Sequence, residues 1–221
     1  MVTHPPKFPS TPHWPWSPTV HKDDRYHQAP EAFVSREVII TEKLDGGNTC
    51  LWNGDVYARS TGQPATQGWF AMVKKHHAWK TSGGHVDTYV YGEDLYGIHS
   101  IQYEPIREDQ TYRIFAVRKG DAWLSWDDVV AHATTLDIPT VPVLYRGTFD
   151  SVKAISAFFD VEITKPSELG GPREGFVMRF ACDFAHSAFT NATAKYVREG
   201  HVQTDQHWTR QWQPAPLIRV Q

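Results

Sequence analysis

From Ser35 onward the chain is a succession of short runs rich in β-branched and aromatic residues, cut by turn dipeptides. That spacing confines it to sheet-based folds. Arg36 to Glu42 (REVIITE) is the first run, and Gly46-Gly47 turns the chain. Asn48 to Trp52 and Val56 to Ser60 follow, joined by Asn53-Gly54, a dipeptide that suits a two-residue hairpin because both residues tolerate positive φ. Thr88 to Glu93, Thr111 to Val117, Val141 to Tyr145, Phe176 to Phe180 and Ala194 to Val197 predict further strands. Helices are predicted over Gly68 to Lys80, with Phe70, Val73 and His77 on one face, and from the Ser125 cap to about Leu136. A third is predicted over Ser151 to Phe159. Strands dominate, so the class is α+β built on antiparallel sheet.

With 221 residues the chain fits one domain with small appendages and can bury about 70% of its unfolded surface. Hydrophobic residues at 40% and aromatics at 13% suit a packed globule. No apolar run approaches membrane-spanning length, and the Pro-rich N-terminus has no apolar signal core. Two cysteines, Cys50 and Cys182, make no disulfide framework, so a cytoplasmic location is expected. A net charge of −3 argues against nucleic-acid binding by bulk charge, though not against a local basic surface. The expected organisation is a Pro/Trp-rich arm over residues 1–34, docked through Trp14 and Trp16, a globular unit over 35–200, and a tail over 201–221.

Lys43, in Thr41-Glu42-Lys43-Leu44-Asp45-Gly46-Gly47-Asn48, ends a predicted strand just before a tight turn, with space for a ligand in front. By itself Lys-x-Asp-Gly is weak, since it arises by chance in roughly one chain in twenty of this length. Four further segments follow in order: Tyr91-Gly92-Glu93-Asp94, Tyr112-Arg113-Ile114-Phe115, Arg173-Glu174-Gly175-Phe176-Val177-Met178-Arg179 and Ala194-Lys195-Tyr196-Val197-Arg198. Over Glu42 to Arg198 this order resembles the motifs of the covalent nucleotidyltransferases, and most of all the type-2 group of the ATP-dependent RNA ligase family.

The resemblance implies an adenylation domain of two antiparallel sheets flanked by helices, with ATP and Mg2+ (or Mn2+) as cofactors. It implies that Lys43 attacks the α-phosphate, with Lys195 as phosphate clamp and Glu174 orienting the metal. Glu93 would take the ribose 2′-OH, Phe115 the adenine face, and Arg59 the 5′-phosphate or AMP, while Asn48 would meet the 3′-OH end and Glu42 would join the nucleotide site. Asp45 would shape the turn and steady Lys43. A lysine of pKa about 10.4 must be brought down by roughly 4 kcal/mol of interaction to be half neutral near pH 7.4. The metal and Lys195 are expected to supply that push. The partners implied are RNA with 5′-phosphate and 3′-OH ends, and an end-healing kinase or phosphatase; no membrane is implied.

Simpler readings stand beside these roles: Glu174 in a surface pair with Arg173 or Arg179, Phe115 as core, Lys195 as a solvated strand lysine. Many family members read Lys-x-Lys in the last motif, whereas this chain offers Arg198 one residue later. Only 23 residues follow Arg198, so no separate C-terminal domain is expected. The tail aromatics, His207, Trp208, Arg210 and Trp212, suit base stacking or packing, as do Trp69-Phe70 with Lys74 and Lys75. His76-His77 point to different helix faces and make poor joint zinc ligands. The alternatives are a DNA ligase or capping-type nucleotidyltransferase, or a catalytically weak nucleotide- or RNA-end-binding module.

Overall fold

In the computed structural model, which describes residues 3–18, 24–59, 62–200 and 212–220, the β-rich runs pair into two large antiparallel sheets. In chain order the first strands are β1 (Val38–Lys43), β2 (Gly47–Trp52), β3 (Asp55–Ala58), β4 (Thr88–Asp94), β5 (Gly97–Ile98), β6 (Ile106–Arg107) and β7 (Tyr112–Lys119). Then come β8 (Ala122–Trp123), β9 (Val143–Gly147), β10 (Gly175–Phe180), β11 (Phe184–Ala185), β12 (Thr193–Val197), β13 (Gln213–Pro214) and β14 (Leu217–Ile218). One sheet has the order β12-β10-β1-β9 and the other β11-β8-β7-β4-β2-β3. The pairs β13-β5 and β14-β6 tie residues 213–218 to the body. Helices α1 (Ala71–His76), α2 (Trp126–Leu136), α3 (Val152–Glu162) and α4 (Phe189–Ala192) complete the α+β architecture that the sequence predicts.

Local chemistry accounts for most of these elements. Asn53 and Gly54 take φ of 50° and 85°, the paired positive values that a tight hairpin between β2 and β3 needs. Ser125 Oγ accepts the Asp128 N–H and Ser151 Oγ accepts the Ala154 N–H, each satisfying a donor that a helix start leaves open. Helix α3 runs three residues beyond the predicted Phe159. The predicted helix over Gly68 to Lys80 is instead a 3-10 turn, the six-residue α1 and a second 3-10 turn (Ala78–Thr81). The break falls at His77, whose φ of −130° leaves helical values as its ring turns into the core against Tyr112. The periodicity survives that break, for Phe70, Val73 and His77 are all buried. Strand β9 starts at Val143, two residues later than predicted, because Pro142 has no N–H for the ladder and offers only its carbonyl, to Glu42.

Alternation along each strand divides buried apolar positions from those left for chemistry. Val38, Ile40, Phe176, Met178 and Ala194 pack beneath α3 on Ile155 and Phe159, together with Trp14 and Phe33. Burying Ile155 or Phe159 completely is worth about 1.5–3 kcal/mol each. On the six-stranded sheet Leu51, Val90 and Ile114 pack against Val73, Val129 and Ala133, while Tyr89, Tyr91 and Trp123 form an aromatic layer around Cys50 on the other face.

The N-terminal arm lies along the outer edge of β12: Lys195 N–H donates to Pro12 O at 2.8 Å and Trp14 N–H to Lys195 O at 2.7 Å. An edge strand with open backbone groups is thereby covered. The predicted docking is present, with Trp14 fully buried. Trp212 packs on Trp69 and Tyr96, while Ser60, His207, Trp208 and Arg210 lie outside the described residues. Cys50 and Cys182 are both free. No helix among the described residues is long and apolar enough to cross a membrane.

Candidate active site

Strand register assembles the site. Thr41 pairs with Val177, which pairs with Lys195, and Lys43 pairs with Gly175. Lys43 and Lys195 therefore project from the same face of the four-stranded sheet, the face opposite α3. From the six-stranded sheet, Asn48 on β2 pairs with Glu93 on β4, and Phe115 stands on β7. Between the two sheets lies a cleft of about 300 Å³, at the small end of ligand-sized pockets. Glu42, Lys43, Asn48, Arg59, Glu93, Phe115 and Lys195 all line it.

Two glycines allow this closeness. A Cβ on Gly175 would lie 1.9 Å from the Tyr196 carbonyl oxygen, so only glycine lets β12 close against the end of β10. A Cβ on Gly46 would sit 2.5 Å from Asp94 O, so the turn after Lys43 can cross the end of β4 beside Glu93. Asp45 anchors that turn: its Oδ2 accepts the N–H groups of Ser100 and Ile101, each at 2.7 Å.

Lys43 Nζ donates to Glu174 Oε1 at 2.6 Å. Glu174 is only 3% exposed and sits behind the lysine rather than in the cleft wall. Burial alone would depress the Lys43 ammonium, but Glu174 and Glu93 outweigh it and hold its pKa above the ordinary lysine value. The depressed amine expected from the sequence is thus not a property of the chain without nucleotide, because its nearest charges are carboxylates. Burial pushes Glu93 up to about 8 against the pull of Lys43, and raises Glu174 too. Lys195 is lowered by burial, with Asp24 opposing and the charges of Lys43 and Arg59 adding to the fall.

The other candidates are held more tightly than the sequence suggests. Glu42 is 1% exposed and accepts the Glu168 N–H at 3.0 Å. Neither surface pair considered for Glu174 forms. Arg173 instead donates to Glu162, and Arg179 to the carbonyls of Phe180 and Leu124. Lys195 is half-buried and donates to Asp24 Oδ1 at 3.2 Å, so it is no solvated lysine. Asn48 Oδ1 is buried with no hydrogen-bond partner among the described residues. Arg198 falls beyond the end of β12 and is not among the cleft residues. The Trp69-Phe70 surface is largely committed to packing, with Lys75 paired to Glu108.

The arm supplies what sequence reasoning missed. Phe8, Ser10 and Asp24 line the cleft. Phe8 packs 5.1 Å from Phe115, and its carbonyl with Ser10 Oγ receives the Arg59 guanidinium. Two tryptophans among prolines signal docking, but nothing local marks where the arm docks.

For a metal, no group of three or more His, Cys, Asp or Glu among the described residues is placed to hold one. The donors near Lys43 are carboxylates, Glu93, Glu174 and Asp45, and the charges of the latter two add to the rise of Glu93. As hard oxygen donors they suit Mg2+ or Mn2+ by type, with most of the coordination left to substrate phosphates and water rather than to a protein cage.

Two facing antiparallel sheets thus enclose a lysine-bearing cleft. Solved structures share this fold. An archaeal ATP-dependent RNA ligase matches 87% of this chain at 15% identity and a TM-score of 0.56, over 48% of its own length. A Naegleria gruberi RNA ligase variant with ATP and Mn matches 90% of the chain at 13% identity, over 61% of its own length (TM-score 0.56). A protein named as an ATP-dependent DNA ligase from Aquifex aeolicus matches 87% at 17% identity, over 50% of its length (TM-score 0.56). The chain thus spans about half the length of the archaeal and Aquifex structures. A search of curated proteins found no match. The chain belongs to the RNA ligase family, which matches residues 36–197.

Proposed function

We propose that the chain is an ATP-dependent RNA ligase that adenylylates itself on Lys43, passes AMP to an RNA 5′-phosphate, and seals that end to a 3′-OH. One observation carries the reading: Lys43 and Lys195 share a sheet face in a cleft whose opposite wall presents Glu93 and Phe115. Lys43 Nζ would attack the α-phosphorus of ATP, forming a P–N bond as the P–O bond to pyrophosphate breaks, with one amine proton lost. Lys195 would balance the charge building on the α-phosphate. Glu93 would accept the ribose 2′-OH and Phe115 would stack on adenine.

Because Glu174 holds the Lys43 proton in the nucleotide-free chain, that pair must part before attack. Glu174 is the carboxylate that would hold a divalent cation, and the chemistry that ion would supply is positive charge beside the phosphates. Glu42, pinned near Arg173 and Glu168, would frame the nucleotide site behind Lys43. In the second step the RNA 5′-phosphate displaces Lys43 from AMP, forming a pyrophosphate-linked RNA end. In the third the 3′-OH attacks that end and AMP leaves. Arg59 is assigned to the 5′-phosphate and Asn48 to the 3′-OH end. Arg198, outside the cleft, is assigned to the RNA backbone. An end-healing kinase or phosphatase would prepare the ends.

The test is incubation with Mg2+ and ATP labelled at the α-phosphate. Wild type should acquire an acid-labile label and Lys43→Met none; a Lys43→Met protein that labels as wild type defeats the assignment. Nicked RNA, nicked DNA and hybrid duplexes compared in one sealing assay should favour RNA. A preference for nicked DNA would instead support the DNA ligase reading that the Aquifex likeness leaves open.

A further inference from the structure

The arm does more than cover an edge. His13 is 2% exposed and is locked by its backbone on two sides: its N–H donates to Arg25 O at 2.6 Å, and its carbonyl accepts the His27 N–H at 2.7 Å. Its ring lies between two polar side chains, with Nε2 3.0 Å from Asp24 Oδ2 and Nδ1 3.1 Å from Ser17 Oγ. Burial and the charge of Lys195 lower the ring to about 4, so it is neutral at neutral pH and has one N–H to give. A carboxylate only accepts, which assigns that N–H to Nε2 and leaves Nδ1 to accept from the Ser17 hydroxyl. The Val197 N–H donates to Ser17 Oγ at 3.0 Å, and Lys195 Nζ donates to Asp24 Oδ1 at 3.2 Å. The chain of hydrogen bonds therefore leaves β12 at Val197, crosses Ser17, His13 and Asp24, and returns to β12 at Lys195.

We propose that Asp24, oriented by His13, is the positioning residue for Lys195, fixing the ammonium of a long flexible side chain in the nucleotide cleft. This rests on the reading of Lys195 as phosphate clamp. The motivating geometry is that both oxygens of Asp24 are used, one for the neutral imidazole and one for the lysine, while Asp24 itself lines the cleft. A lysine stem samples many rotamers unless its head is held. The other cations of the cleft, Lys43 and Arg59, repel Lys195 rather than seat it. The same arm holds Arg59 through Phe8 O and Ser10 Oγ, so one segment restrains two of the cleft's cations.

The test uses the full chain and three measurements on Asp24→Asn and Asp24→Glu. Asn keeps the shape of Asp24 and removes its charge, and a thermal melt confirms folding. The first measurement is the rate of lysyl-AMP formation across ATP concentrations. In Asp24→Asn it should fall about tenfold at saturating ATP, the scale of one charge-assisted hydrogen bond. Most of the loss should lie in rate rather than in the ATP concentration giving half-maximal rate. Second, Asp24→Glu should recover part of that rate, which a purely structural defect would not allow. Third, the 15Nζ signal of Lys195, assigned with Lys195→Arg, should broaden or vanish in Asp24→Asn without any ATP present. Wild-type rate and an unchanged Lys195 signal in Asp24→Asn would overturn the inference alone. A faster Asp24→Asn enzyme, in which the carboxylate merely competes with phosphate, would overturn it as well. A wild type that takes no label would sink the ligase reading, and the lysine signal would still decide whether Asp24 holds Lys195.

Discussion

Replacing Gly175 with alanine probes the site through backbone alone. The added Cβ would meet Tyr196 O at 1.9 Å, Tyr196 C at 2.9 Å and Val197 Cα at 3.1 Å. All three are backbone atoms, so no side chain can swing aside. Relief requires β10 and β12 to separate by at least about 1 Å at this point, since real Cβ contacts below 3.0 Å essentially never occur. Overpacking of this kind costs about 3 kcal/mol, which lowers Tm by about 6–12 °C in a domain of this size. The chemical loss should be larger. Gly175 pairs directly with Lys43, and Lys195 lies on the strand that must move. A displacement of about 1 Å in a reacting group costs on the order of 100-fold in rate. The assay is self-labelling with α-labelled ATP at 25 °C, with folding at that temperature checked by circular dichroism. Wild-type Tm together with a wild-type labelling rate would show that close β10–β12 approach does not set the lysine geometry.

Three other outcomes are expected. Glu93 and Asp94 are raised by burial to about 8 and about 7, so each favours the folded state most fully below the unfolded carboxyl pKa, and that contribution is lost as pH rises through those values. Melts of the nucleotide-free chain should therefore show Tm declining from pH 5 toward pH 9, with a shallower decline in Glu93→Gln; equal slopes would contradict the burial assignment. Trp14→Ala removes a fully buried indole packed on Phe33 and Phe159, and should destabilise by about 3–5 kcal/mol in denaturant unfolding, which a loosely attached arm would not do. Ser125→Ala deletes the cap of α2 and should cost about 1 kcal/mol in the same measurement, leaving labelling unchanged.

Much of the fold is written locally in the sequence. Asn53-Gly54 demands its hairpin, Ser125 and Ser151 start their helices, and the β-branched run of β1 marks a buried strand. The resemblance of the ordered motifs to the ligase family likewise points to Lys43, Glu93, Phe115 and Lys195, and the folded chain brings all four to one cleft. Boundaries were less legible: the backbone of His77 broke a helix, and Pro142 delayed β9.

What only the tertiary structure decided concerns distance. Glu174 and Lys43 are 131 positions apart in sequence and form one ion pair, which holds the amine above the ordinary lysine value. Asp24 and Lys195 are 171 positions apart, and no local pattern links them. Propensity and periodicity act within a few residues, whereas charge and hydrogen bonding act through space, so the partners of these lysines existed only once the arm had docked and the sheets had closed.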